Sequence, residues 1–451
     1  MTRKLSRRTF LGGAVAGGTL LRPRVSRATP PGTNGGAPAI LGGTPVRDRP
    51  FPAWPIADAS EERALSDVIR SGRWFRGSGS YVDRFEAEYA KRTGSPHCLA
   101  TANGTSALIL SLQALGVGAG DEVIVPPYTF VATVNAVLLL HALPVFVDTD
   151  PATFQIDARK VEAAITEDTR AIVPVHLGGN AADLDTILEV ANRRGIPVVE
   201  DACQAHLSEW KGRKLGTYGR TGCFSFQASK NLNAGEGGAI LTADQALFEA
   251  LYERHNNSRG RGQGGADFSY RGPGVNLRMT EFQGALLLAQ MERLEDQARR
   301  RDQNAAYLTR QLDAVGGLVP ARMHPHCTRN AYHLYMTRYE PAAFSGLSRA
   351  RFLKAMKAEG IPMMPGYSAL DRQPFLEATF ATRGFQRVFS KARLDRWRER
   401  NRCPENDRLC EEGVWMTQTM LLGGREEMDH IAEAVRRVKA AASRISAAAT
   451  D

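Results

Sequence analysis

The chain has 451 residues, 43% of them hydrophobic and 24% charged, an ordinary balance for a soluble globular enzyme with one large domain and a smaller one. Its formal charge of +10 points to a polyanion partner only until the basic residues are located. Arg3, Lys4, Arg7, Arg8, Arg22, Arg24 and Arg27 all precede the first acidic residue, Asp48, and setting those seven aside leaves 51 basic against 48 acidic side chains, so no nucleic-acid partner is required.

Residues 1–28 carry Ser6-Arg7-Arg8-Thr9-Phe10-Leu11, then a mildly apolar, glycine-rich run to Leu21 that is too short for a stable membrane span, and Ser26-Arg27-Ala28 at a cleavage-like position. This resembles a twin-arginine export signal, which implies a folded, cofactor-loaded protein sent to the periplasm; a basic tail with a chance arginine pair would leave it cytoplasmic. Residues 29–59, rich in Pro and Gly, read as an extended arm that includes Phe51-Pro52-Ala53-Trp54-Pro55. A helix is predicted over Ser60–Ser71, where Leu65, Val68 and Ile69 share a face. From Cys98, apolar strands at 122–125, 144–148, 171–175 and 196–201 alternate with helices at 131–141 and 183–194, the order of an α/β fold with a mostly parallel sheet covered by helices. A long helix begins near Thr280 and leads out of a large domain spanning 60–317. Residues 318–451 form a smaller α+β domain, with a helix at 349–359 and a closing helix from Glu426 to about Ser446.

Cys98, Cys203, Cys223, Cys327, Cys403 and Cys410 show no CxxC pair, so they read as structural thiols with no metal site, a Cys403–Cys410 bridge being left open for an exported protein.

Ligands of open α/β sheets sit at the carboxyl ends of the strands, and four polar stretches fall there. Thr101-Ala102-Asn103-Gly104-Thr105-Ser106 opens a helix whose free amides could hold a phosphate, or is an ordinary turn and cap. Pro126-Pro127-Tyr128-Thr129-Phe130 places Phe130 to stack on a flat ring, or in the core. Glu200-Asp201-Ala202-Cys203-Gln204-Ala205-His206 offers a carboxylate that a protonated pyridine nitrogen would justify, or a helix cap, with His206 structural or substrate-facing. Finally, Ser225-Phe226-Gln227-Ala228-Ser229-Lys230 delivers a lysine into a small-residue loop, where near a cationic ring it can lose its proton and attack an aldehyde, or it is a solvated surface charge as lone lysines usually are.

Together with Asn276-Leu277-Arg278-Met279-Thr280-Glu281 and Tyr332-His333-Leu334-Tyr335, these stretches resemble the DegT/DnrJ/StrS sugar aminotransferases, fold-type-I pyridoxal-phosphate enzymes, nearest their aminohydroxybenzoate-synthase and cyclitol-aminotransferase branches. The resemblance runs from about residue 38 to the C-terminus. It implies Lys230 as the Schiff-base lysine, Asp201 on the pyridine nitrogen, Phe130 on the ring with Gln204 nearby, and Gly104, Thr105, Ser106 and Ser225 on the phosphate. Asn276 would reach the phosphate of a neighbouring subunit, making a homodimer with shared active sites, and the Gly/Arg-rich stretch 254–274 would be the crossing loop rather than an RGG-like tail. The implied reaction takes an amino group from glutamate or glutamine to a keto-sugar or keto-cyclitol, with His333, Tyr335 and Tyr367 facing substrate. Dehydration or aromatisation on the same cofactor is a rival, although the family's dehydratases carry histidine where Lys230 stands. A non-catalytic exported sugar-binding homologue is another.

Overall fold

The computed structural model describes residues 36–261, 270 and 272–448, so the export signal proposed for residues 1–28 lies outside the described residues, as does most of the glycine-rich part of the 254–274 stretch. From Gly36 onward the chain forms one unit. Pro and Gly keep 36–58 free of α-helix apart from one 3-10 turn at Ala39–Leu41, and the arm is pinned by Arg47, whose guanidinium donates to Pro50 O and Glu427 and lies 4.4 Å over Phe51.

Helix α1 (Ala59–Ser71) starts at a capping box in which Asp58 and Glu61 satisfy each other's first amides, and α2 (Tyr81–Thr93) follows. Strand β1 (His97–Thr101) then leads straight into α3 (Gly104–Ala114), β2 (Glu122–Val125) into α4 (Ala132–Leu139), and β3 (Leu143–Phe146) and β4 (Thr169–Ile172) precede α5 (Leu184–Arg194). Three more strands, β5 (Val199–Asp201), β6 (Thr221–Ser225) and β7 (Gly238–Thr242), complete the main sheet before α6 (Gln245–His255). Pairings give the order β1-β7-β6-β5, and the parallel bridges Ile172↔Val198 and Val175↔Asp201 join it to β4-β2-β3. Every strand runs parallel except β7, which is antiparallel to both neighbours. The mostly parallel sheet read from the alternating pattern is therefore present, and its strands are buried on both faces, as helices on either side demand.

Helix α7 (Glu281–Val315) starts where predicted, with Gln283 accepting from the Thr280 amide at 2.8 Å, and packs against α1 and α2 at one end and the C-terminal layer at the other. That layer is an antiparallel sheet in the order β8 (Leu318–Pro320), β9 (Leu334–Tyr339), β11 (Gly413–Thr417), β10 (Met364–Pro365), backed by α8 (Arg349–Ala358) and α12 (Arg425–Ala440). The predicted closing helix is broken at Ala441 before a last turn at Ala442–Ala447. One difference from the boundary drawn at 318 has a clear cause. Helices α9 (Pro374–Phe380), α10 (Arg383–Val388) and α11 (Lys391–Arg400) bury Leu376, Phe380, Phe385 and Trp397 in the same cluster as Leu99, Val123 and Phe146 of the main sheet. Trp397 Nε1 donates to Pro144 O at 2.6 Å, tying this excursion to β3.

Candidate active site

The carboxyl ends of β1, β2, β5 and β6 converge on one cavity of about 900 Å³, closed on its far side by β9 and β11 and by Trp54 of the arm. At the end of β1 the Asn103 side chain accepts from the Ser106 amide (2.8 Å) and caps α3, so the amides of Gly104 and Thr105, ahead of the first helical bonds, are left for a ligand. Gly104 is required there: a Cβ would stand 2.7 Å from Ser225 Cβ and 3.0 Å from Cys203 Sγ.

The loop after β6 is folded back by Ala234 N→Phe226 O (2.9 Å) and Ala228 N→Gly235 O (2.9 Å), and Lys230 N→Gln227 O (2.8 Å) turns Lys230 toward the cavity. Burial holds the Lys230 ammonium below the usual lysine range, partly opposed by Cys203 and Asp201. Its amine has no hydrogen bond or ion pair within 4 Å among the described residues, which leaves it available as a nucleophile or base.

Asp201 ends β5, 5% exposed. One oxygen accepts from Thr133 Oγ1 at 2.8 Å and the other from the Cys203 amide at 3.2 Å. Thr133 spends its only proton on Asp201, so Thr129 Oγ1, 3.0 Å away, donates to Thr133 and completes a short relay. Behind the same strand, Glu200 is fully buried, accepts from the amides of Gly216, Tyr218 and Gly219, and lies 2.9 Å from His176 Nε2. These bonds hold its carboxyl below the usual range against burial, which acts the other way, and fix the end of β5.

Gly104, Thr105, Ser106, Phe130, Asp201, Gln204, Ser225, Lys230, His333 and Tyr367, all anticipated from sequence, line this cavity. Gln204 spans it, accepting from the Gly178 amide (2.7 Å) and donating to Tyr367 Oη (3.3 Å); burial pushes the Tyr367 phenol up to about 12. His333 is held in one tautomer. Asn231 donates through Nδ2 to Ala331 O, so its Oδ1 accepts from His333 Nδ1 (3.2 Å), and burial keeps the ring neutral with a lone pair on Nε2. One expectation differs. Tyr335 does not face substrate: it is 2% exposed inside the C-terminal core, bonded to Thr309 Oγ1 at 2.7 Å, because alternation on β9 turns Leu334, not Tyr335, to the cavity. Asn276, expected to serve a neighbouring subunit rather than its own, is exposed outside this cavity, in a bridge with Asn256, which leaves that expectation standing. His206 proves structural, its Nε2 donating to Ser225 O (2.9 Å) and Tyr89 Oη contacting Nδ1 (3.1 Å), with burial lowering it to about 3. All six cysteines are free, including Cys403 and Cys410.

A family model, the DegT/DnrJ/EryC1/StrS aminotransferase family, matches residues 55–436. The chain belongs to this family. A putative L-glutamine:3-amino-2,3-dideoxy-scyllo-inosose aminotransferase of Streptoalloteichus tenebrarius is 36% identical over 409 residues, covering 89% of this chain and 97% of that protein. The L-glutamine:2-deoxy-scyllo-inosose aminotransferase of Streptomyces kanamyceticus is 39% identical over 420 residues, 89% and 96%. Among solved structures, that of 3-amino-5-hydroxybenzoic acid synthase superposes with a TM-score of 0.78 at 34% identity, covering 87% of this chain and all of that one. The protein is thus a pyridoxal-phosphate-dependent aminotransferase of fold type I.

The residues present fit that cofactor. The α3 N-terminus, the hydroxyls of Thr105, Ser106 and Ser225, and the side-chain-free face of Gly104 make a cradle for a phosphate dianion. Asp201 lines the same cavity as a buried carboxylate without a cation within ion-pair distance among the described residues, and a ring N–H would complete it. Thr129, Thr133, Trp54, Trp415, Thr417 and Gln418 also line the cavity and were not singled out from the sequence. Thr129 sits in the bend before α4 and Thr133 in its first turn, and they and the others meet the cavity only through the folded arrangement.

Proposed function

We propose that this aminotransferase moves an amino group from L-glutamine to a keto-cyclitol, with Lys230 and Asp201 as its catalytic residues. The observation that carries the reading is the placement of a partner-free Lys230 amine, its proton affinity lowered by burial, in one cavity with Asp201 and the start of α3. The acceptor class rests on the relatives named above and on charge. Lys230 is the only Lys or Arg among the described lining residues, whereas a nucleotide-linked sugar brings a diphosphate that needs cations. What the wall does offer is Trp54, Trp415 and Tyr367 beside the hydroxyls of Thr417 and Thr419 and the His333 Nε2 lone pair, a match for a hydroxylated ring.

When bound, pyridoxal phosphate supplies the electron sink that lets a proton leave the carbon bearing the amine. In this reading Gly104, Thr105, Ser106 and Ser225 would hold its phosphate, Phe130 and Gln204 would flank its ring, and Asp201, oriented by Thr133, would keep the ring nitrogen protonated. Lys230 takes the proton from the donor's α-carbon, and in the second half-reaction it works in the opposite direction on the ketone-derived carbon. Exchange of each substrate in turn with the purified enzyme tests this: L-glutamine should bleach the visible absorbance of the lysine-bound cofactor and scyllo-inosose restore it, and restoration only by nucleotide-linked keto-sugars would defeat the acceptor assignment.

The same reading makes the enzyme a homodimer with Asn276 completing the other subunit's phosphate site. Phe130, Trp74, Phe75, Tyr270 and Val275 support it, being large apolar side chains that are 47–61% exposed on this chain. Sedimentation at twice the chain mass is expected, and a monomer with full activity would contradict it. Export through Arg7-Arg8 is proposed on the sequence motif, and R7K/R8K should retain a reporter fusion in the cytoplasm.

A further inference from the structure

At the far wall of the cavity, where β9 begins and β11 ends, Gln418 donates its backbone amide to His333 O at 3.1 Å and its side chain, 1% exposed, lines the cavity. Its amide orientation is fixed from behind. Arg301, in the middle of α7, donates to Gln418 Oε1 from both Nε (2.9 Å) and Nη2 (2.5 Å), and a guanidinium can only donate. Gln418 therefore has only Nε2 left to offer, and that group is buried without a partner, as is Arg301 Nη1.

Arg301 itself is fully buried, with no carboxylate within ion-pair distance among the described residues. Its other neighbour is the Trp54 ring, 5.4 Å away and also a cavity wall. Burial lowers the guanidinium to about 9, so it stays protonated at neutral pH. Orphan buried donors and an uncompensated buried cation are both unfavourable in the free protein. Gathered behind one cavity wall, they make a site that is completed by an oxygen anion. A hydroxyl would satisfy one donor but leave the charge unanswered; a carboxylate accepts hydrogen bonds only and answers both.

We propose that Gln418 Nε2, polarised by the Arg301 guanidinium behind it, binds the α-carboxylate of the amino-acid donor, Arg301 acting as a positioning residue through Gln418. The assignment rests on the proposed amino-acid-dependent transamination. It separates the two substrates on one wall, with Gln418 reading the donor's carboxylate and Trp415, Thr417 and His333 left for the ketone.

The test uses cofactor-loaded enzyme and follows each half-reaction alone by its absorbance change. The donor half-reaction is run with L-glutamine and with 4-aminobutanamide, which is L-glutamine without its α-carboxylate. For Gln418→Leu the expected result is a fall of about 10- to 100-fold in kcat/KM for L-glutamine, chiefly through KM, with 4-aminobutanamide and the ketone half-reaction nearly unchanged, so that preference for the carboxylate-bearing donor collapses. Gln418→Asn, which withdraws the amide by one methylene in a fold-tolerant way, should show the same collapse more weakly, and Arg301→Lys, which keeps charge but breaks the fork, should do so with cofactor affinity retained. An unchanged preference in both Gln418 variants, or a loss confined to the ketone half-reaction, overturns the assignment. If wild-type enzyme reacts with no α-amino acid at all, it is the proposed function that fails, and the assignment falls with it.

Discussion

The two walls of the cavity are built on opposite principles. On the cofactor side, short contiguous stretches at the ends of β1, β5 and β6 are braced from behind by the chain itself, while the Gly104 and Thr105 amides and the Lys230 amine stay open to a ligand: Asn103 caps α3, Thr133 and the Cys203 amide hold Asp201, and His206 braces Ser225. On the substrate side, residues hundreds of positions apart meet through β9, β11 and the arm, and Trp415 Nε1, Gln418 Nε2 and Arg301 Nη1 are buried without partners. A permanently held cofactor calls for groups fixed in advance by supporting bonds, whereas two substrates taking turns meet a wall whose buried donors have bonds still to make.

The largest contrast should come from the lysine. Lys230→Ala is expected to lower kcat by 10² to 10⁴ or more, the range of a lost proton-transfer group, while cofactor still binds at the α3 cradle; measuring kcat beside cofactor affinity checks whether the two functions separate as this wall implies. Next, Thr133→Val removes one hydrogen bond to a buried carboxylate and should reduce kcat about 10-fold, with a shift in the pH dependence of the bound cofactor's absorbance and recovery in Thr133→Ser. A change in KM for donor alone would place Thr133 on the substrate side instead.

How far each wall could be read in advance follows the same division. Strand-end stretches carry their own geometry, because a strand, a tight turn and a helix start fix where Gly104, Asp201, Ser225 and Lys230 point, and these residues do line one cavity. Tyr335 went the other way: the strand begins at Leu334, which lines the cavity, so alternation turns Tyr335 to the core, while His333 lies ahead of the strand and reaches the cavity outside that alternation, and the pattern His333-Leu334-Tyr335 does not reveal where the strand begins. Nor could local pattern show that the helices of 374–400 cover the main sheet, since their apolar faces would serve either layer. In the sequence Arg301 is one of several arginines in a charged helix, and only tertiary packing makes it a buried cation.

Buried histidines make the stability of the fold depend on pH. His206 and His255 are held near 3 by burial, so below the unfolded value of about 6.5 the unfolded chain binds more protons than the folded one. Stability is full above about 6.5 and falls as pH drops toward 3, by about 1.4 kcal/mol per pH unit for each histidine. Urea unfolding at pH 7 and pH 5 measures this, and the dependence should weaken in His206→Gln. The smallest effect is expected at Tyr335→Phe, which removes the bond to Thr309 and should cost about 1 kcal/mol of stability without altering the KM of either substrate. A rise in KM there would return Tyr335 to the substrate wall.

The account depends most on Lys230. Borohydride reduction of the cofactor-loaded enzyme, followed by peptide mapping, should place the reduced cofactor on the single peptide carrying Lys230 and nowhere on Lys230→Ala. Attachment to any other lysine, or none in an active wild-type enzyme, would contradict it.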